Sequence, residues 1–110
     1  MTKKLLCVDE QANDRSQTMM RIFSQDPYNY MTMVAGSEPN VVFPLTRDNL
    51  AWPDEILCAN DKTYSVVMHR LEHFVIKDKK VINFSLWDIY NYNDPELISK
   101  LKTIYDAQNT

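Results

Sequence analysis

The stretch LLCVDEQANDRSQTMMRIF, residues 5–23, decides how this chain is read. An apolar run ends at Asp9. A short polar loop follows, and Arg15 and Ser16 open a segment whose Met19, Met20, Ile22 and Phe23 fall on a helical stripe. A buried strand, a loop and a helix N-terminus, in that order, are the parts of an anion-binding loop on a parallel sheet. The first turn of such a helix offers unpaired backbone N–H groups and the positive end of its dipole. Yet this loop has no glycine, and Asp9, Glu10 and Asp14 put negative charge where an anion would sit.

Strands and helices alternate along the whole chain. KKLLCV, 3–8, reads as a short buried strand and residues 16–24 as the helix. QDPYNY, 25–30, is a connection broken by Pro27 and Asn29. MTMVAG, 31–36, alternates like a strand and ends on Gly36, the only glycine, which marks a position of positive φ or of close backbone approach. SEPNVVFP, 37–44, is a loop, and Thr46 N-caps a helix that Pro53 ends. EILCA, 55–59, is a third strand. Residues 60–74 form a helix with Tyr64, Val67, Met68 and Leu71 on one face, and KKVINFSL, 79–86, is a fourth strand. WDIYNYN, 87–93, is an aromatic loop. The last helix, 94–108, has Asp94 at its N-cap, Pro95 at its first position and Glu96 in its first turn. This alternation predicts an α/β fold in three layers, a parallel sheet with helices on both faces. Ligands of such folds sit at the carboxyl ends of the strands. Loop 9–16, loop 36–40, Asn60–Asp61 and loop 87–93 therefore share one rim.

Bulk properties narrow the function. The 110 residues suit a single domain, 1–110, and 45% hydrophobic with 25% charged residues is enough for a real core. A net charge of -3 argues against a nucleic-acid partner, which needs a basic face; the basic KDKK at 77–80 reads as a solvated turn. Cys7 and Cys58 lie inside apolar runs and are expected as reduced core residues rather than a disulfide or a metal pair. MTKK leads into only four apolar-leaning residues, and no run approaches the ~18 apolar residues of a membrane span, so a cytoplasmic protein without a membrane partner is expected. His69 and His73 stand four apart on one helix but lack a third ligand, so they read as partly solvated histidines and no metal or cofactor is expected. Met19, Met20, Met31, Met33 and Met68 read as core or near-core fillers.

Four segments, KKLLCVDEQANDRS, VAGSEP, LTRDNLAWPDEILCA and LWDIYNYNDPELISKLK, resemble the low-molecular-weight protein tyrosine phosphatases, most closely their small bacterial and phage phosphatase-like relatives. The resemblance runs through almost the whole chain. It implies a four-stranded parallel sheet in the order 2-1-3-4. It also implies a catalytic loop made of a cysteine, five residues, an arginine and a serine. Arg15 and Ser16 match the end of that motif, but six positions before Arg15 stands Asp9, and Cys7 lies two positions too early, inside the strand. Ala12 stands where the family usually has an asparagine that braces the loop, and Asn13 is one position late for that role. Gln11 stands where a small residue is usual. In the loop before the last helix, the family's general acid falls on Asp88, with Trp87 replacing a proline.

A cysteine phosphatase needs a thiolate held by backbone N–H groups, a helix N-terminus and an arginine. A carboxylate at Asp9 is expected either to accept hydrogen bonds from the same amides or to pair with Arg15 across the loop. In both cases it acts as a built-in ligand and repels phosphate. The resulting expectation is a catalytically degraded phosphatase-like domain that binds a protein partner through its old rim, with Trp87, Tyr90 and Tyr92 as the recognition surface. Two other readings use the same residues. Asp9 could serve as a phosphoryl acceptor with Mg²⁺, with Glu10 and Asp61 alongside. The acidic pair after the first strand also resembles the opening of a response-regulator receiver domain. There Asp61 would be the acceptor, two residues late, and the lysine expected after the fourth strand is missing.

Overall fold

The computed structural model describes residues 2–108. Strand β1 (Lys4–Asp9) leads to α1 (Asp14–Phe23), β2 (Met31–Gly36), α2 (Arg47–Ala51), β3 (Glu55–Cys58), α3 (Asp61–His73), β4 (Lys80–Asn83) and α4 (Pro95–Gln108). The four strands form one parallel sheet in the order β2-β1-β3-β4. The register runs Lys4↔Met31 to Asp9↔Gly36, Leu5↔Glu55 to Val8↔Cys58, and Glu55↔Lys80 to Cys58↔Asn83. This is the fold class and strand order expected. No described helix is long and apolar enough to cross a membrane.

The physical reason lies in β1. It is an inner strand with both faces covered, so residues 5–9 are all buried and 5–8 read as an unbroken apolar run. Alternate side chains go to opposite faces. Leu5, Cys7 and Leu57 pack with Met19 and Phe23 of α1 and Leu97 and Leu101 of α4. Leu6, Val8 and Ile56 pack with Leu50 of α2 and Val67 and Leu71 of α3. The capping signals hold locally. The Thr46 hydroxyl accepts from Asn49 N–H while the Asn49 side chain accepts from Thr46 N–H, and the Asp94 carboxylate accepts from Glu96 N–H.

Several expectations need correction. Helix α1 begins at Asp14, two residues before the expected start. Strand β4 stops at Asn83 because the Asn83 side chain accepts from Ser85 N–H and Ser85 turns to positive φ. Met31 and Met33 are exposed rather than core: β2 is an edge strand, and the five-residue α2 does not cover its face. Met68 also faces outward, beside a surface cavity over α3. Cys7 and Cys58 are free and buried as expected.

Gly36 is needed for close approach, not for positive φ, which no glycine here adopts. A Cβ built there would stand 2.9 Å from the Glu10 carbonyl oxygen and 3.0 Å from Ala12 N and Gln11 C. All three are backbone atoms of the 9–16 loop. Ser37 N–H and Glu38 N–H donate to the carbonyls of Asp9 and Glu10 at 2.9 Å, so the two loops are fastened together. Gly36→Ala is expected to push them apart and lower stability by roughly 1–3 kcal/mol, the usual cost of overpacking, as read from thermal or urea melts.

Candidate functional site

The four loops predicted to share a rim meet at the carboxyl end of the sheet. The centre is Asp9, the last residue of β1 and almost fully buried. Its carboxylate accepts from Ser16 N–H at 2.9 Å and from Asn13 N–H at 3.0 and 3.2 Å. Asn13 is the N-cap residue of α1, but its side chain makes no cap. Asp9, from four residues upstream, does that work and sets a negative charge at the positive end of the helix. The loop closes on Ala12, held at φ 59, a left-handed conformation costly for a residue with a Cβ. That is the position where the resembled family places asparagine, a residue that tolerates it.

Arg15 is 4% exposed, and it does not pair with Asp9. Of the two arrangements open to Asp9, the cross-loop pair is not formed: the two Asp9 oxygens are already engaged by the helix amides, and the guanidinium turns to other carboxylates. Its Nη2 lies 3.4 Å from Asp88 Oδ1 and 3.7 Å from Glu10 Oε1, while its buried Nη1 has no hydrogen-bond partner. Glu10 accepts from Asn60 Nδ2 at 3.0 Å and lies 3.7 Å from Lys62 Nζ, which is also 3.5 Å from Glu38. The Asn60 hydrogen bond, with Glu38, Lys62 and Arg15 nearby, holds the Glu10 carboxyl below the usual carboxylate range. The sequence places Asn60 on the rim without a partner, and it carries no signal for Lys62, whose role comes only from where α3 starts.

Loop 87–93 is divided by burial. Tyr90, expected on the recognition surface, is 5% exposed and belongs to the core under α4, a correction that follows from how the loop is tethered. Asn93 N–H donates to Thr18 Oγ1, and Arg21 donates to the Asn93 side chain, which pins the loop to α1 and folds Tyr90 beneath it. Trp87 stays 70% exposed, with Ile89 and Tyr92 also outward, so the exposed apolar surface is Trp87, Ile89 and Tyr92. Asp88, the expected general-acid position, stands beside Arg15. Together Asp9, Glu10, Gln11, Asn13, Asp14, Arg15 and Asp88 line a cavity of about 180 Å³.

The other candidates lie elsewhere. Cys7 is wholly buried in the core under α1 and α4, where burial and the nearby Asp9 push its thiol far up, and burial pushes Cys58 up to about 12. Neither is a thiolate nucleophile. Asp61 accepts from Asn83 Nδ2 and Ser85 Oγ, which ties the end of β4 to the start of α3. The sheet has four described strands, one short of a receiver domain. His69 lines the surface cavity over α3, and His73 meets the Phe74 ring edge to face.

No family model matches the sequence, and no curated protein does. Solved structures match over nearly the full length. A YwlE mutant from Bacillus subtilis superposes with a TM-score of 0.69 at 13% identity, over 99% of this chain and 100% of that one. The tyrosine phosphatase AmsI of Erwinia amylovora gives 0.67 at 16%, over 99% and 90%. Wzb of Vibrio vulnificus, in complex with benzylphosphonate, gives 0.63 at 17%, over 99% and 96%. At these identities the likeness is one of fold: the chain has the low-molecular-weight tyrosine phosphatase fold.

Two measurements check this geometry. Ala12→Gly is expected to stabilise the chain by roughly 0.5–1 kcal/mol, because relief of left-handed strain outweighs the added entropy of the unfolded chain. The Glu10 carboxyl is lower in the folded state, so its interactions stabilise above the unfolded-state value of 4.5 and are lost as pH falls through the folded-state value. Melting temperature against pH for Glu10→Gln is therefore expected to fall less steeply below that point than for the wild type.

Proposed function

We propose that this chain is a phosphatase-fold protein without phosphatase activity, which acts by binding a protein partner at the rim around loop 9–16. One observation carries the reading: the Asp9 carboxylate already sits on the helix N–H groups of Asn13 and Ser16. An incoming phosphate would have to displace a covalently attached anion and face Glu10, Asp14 and Asp88 as well. A thiolate nucleophile is missing from the loop, and Arg15 is drawn to Asp88 and Glu10. What remains accessible is an aromatic and apolar rim, the kind of surface enriched at protein interfaces.

The wild type is expected to leave p-nitrophenyl phosphate unhydrolysed and vanadate unbound. Asp9→Ser removes the internal anion while retaining Arg15, Ser16 and the helix N-terminus. Calorimetry should detect phosphate binding to this variant only, and phosphate about 100-fold above its Kd should stabilise it by roughly 2.7 kcal/mol. Turnover by the wild type that requires Mg²⁺ and disappears in Asp9→Asn would replace this reading with that of an aspartyl phosphotransferase. Affinity capture with the wild type and with Trp87→Ala/Tyr92→Ala tests the rim: a partner retained equally by both proteins argues against it.

A further inference from the structure

The two edges of the sheet are built differently. At one edge, β4 is four residues long and opens on Lys80 behind the basic turn at 77–80, a charged start of the kind that keeps an edge from pairing. At the other edge, β2 is six residues long, MTMVAG, with no charge and no proline, and its unbroken register with β1 leaves no bulge to turn it away. Met31 N–H donates to Lys3 C=O in β1. By alternation the main-chain groups of Met31, Met33 and Ala35 face β1, and those of Thr32, Val34 and Gly36 face outward. Gly36 N–H is taken by Phe43 C=O at 2.7 Å, and Tyr30 N–H by Phe23 C=O at 2.8 Å. Between them, the N–H groups of Thr32 and Val34 have no main-chain partner among the described residues, and both residues are partly exposed. The open run is thus short and symmetric about Met33. The side chains add a second, independent observation. Met31 and Met33 are exposed, and Met33 lines a cavity of about 330 Å³ with Thr46, Asp48, Asn49 and Trp52 of the α2 segment.

From this juxtaposition we infer that β2 pairs with the β2 of a second copy of the chain, antiparallel and two-fold about Met33, so that one sheet runs through both copies. Thr32 of each copy then faces Val34 of the other, and each such pair exchanges two main-chain hydrogen bonds. Met33 lies beside Leu6 in the register, on the face that packs against α2. On that face Met33 meets Met33 of the second copy, and Met31 meets Ala35, long against short, so the methionines of both copies cover the two α2 cavities. Two-fold symmetry sets a condition near its axis, because a charged side chain there meets its own like charge. β2 satisfies it, with no charged residue from Met31 to Gly36. A strand from an unrelated partner is under no such condition and needs no open run symmetric about one residue. With so short a run, the contact falls in the class below about 1,200 Å², and the dimer is a weak one, with a Kd on the order of 0.1 mM. The inference does not depend on the reading of the rim.

Sedimentation velocity of the full chain between about 10 μM and 1 mM tests this, and the wild type should pass from monomer to dimer over that range. Met33→Lys and Met33→Glu each set like charges about 5 Å apart across the axis and should weaken the dimer at least about tenfold. Met33 is exposed, so both variants should keep the monomer's fold, as melting at about 10 μM will show. An equal mixture of the two variants sets opposite charges face to face and should restore a dimer, a rescue that a merely destabilising substitution does not permit. In amide hydrogen exchange, Thr32 and Val34 should slow about threefold or more between dilute and about 1 mM wild type, and not in Met33→Lys. Trp87→Ala/Tyr92→Ala alters the rim and should dimerise as the wild type does. The inference is overturned if the wild type stays monomeric at about 1 mM, or if it forms a dimer that Met33→Lys leaves unchanged. It is equally overturned if the mixture of folded variants stays monomeric, if Thr32 and Val34 exchange no more slowly in the dimer, or if the rim variant loses the dimer.

Discussion

The hydrogen bonds from the N-terminus of α1 to the Asp9 carboxylate are the interaction on which the rest of this site depends. A helix that starts over the end of a buried strand has several N–H groups with no partner in the helix, and burial makes leaving them bare expensive. Many loops of this shape leave that need for a bound anion to meet. Here the covalent chain meets it, with Ser16 N–H and Asn13 N–H on the same carboxylate. The helix is capped in the absence of ligand, so the loop is closed and its centre is negative.

The other features of the rim follow from that charge. Since Asp9 is occupied by amides, it does not neutralise Arg15, and the buried guanidinium finds Asp88 and Glu10 instead. This draws the 87–93 loop over the cavity. Glu10 in turn connects to Asn60 and Lys62 at the start of α3, and Lys62 reaches Glu38 after β2. Arg15, Glu10 and Lys62 thus link all four carboxyl-end loops, and Gly36 allows the second of them to pack directly on the backbone of the first.

The opposite end of the sheet shows a different use of charge. Glu55 is buried at the start of β3, where it accepts from Tyr105 O–H at 2.8 Å and lies 3.2 Å from Lys3. Burial, together with this carboxylate, pushes the Tyr105 hydroxyl well above its ordinary range. That network ties α4 to the sheet through a paired buried charge, which is costly to break from either side. Structural acids are thus fully paired at the bottom of the sheet, whereas Asp14 and Asp88 at the top are not.

How far this was legible depends on the range of the physics involved. The order of elements, the parallel sheet and the shared rim could be read from the sequence, because periodicity, capping residues and prolines act over a few positions. Thr46, Asp94 and the run from Leu5 to Asp9 are such local signals. The place of Asp9 at the mouth of a helix was legible for the same reason, as both groups belong to one short loop. The partner of Arg15 was not: pairing with Asp9 or with Asp88 depends on how the residue-87 loop folds back, a contact across more than seventy residues. Tyr90 and Met33 depart from the sequence expectation on the same ground. Whether an aromatic or a methionine is buried is decided by what covers it, and the tether of Asn93 to Thr18 and the single turn of α2 exist only once the chain has folded. Local order along the chain specifies a closed, negatively charged loop on an α/β sheet. Which charges are left over is settled only in three dimensions, since compensation between distant carboxylates and cations is set by their distances in space.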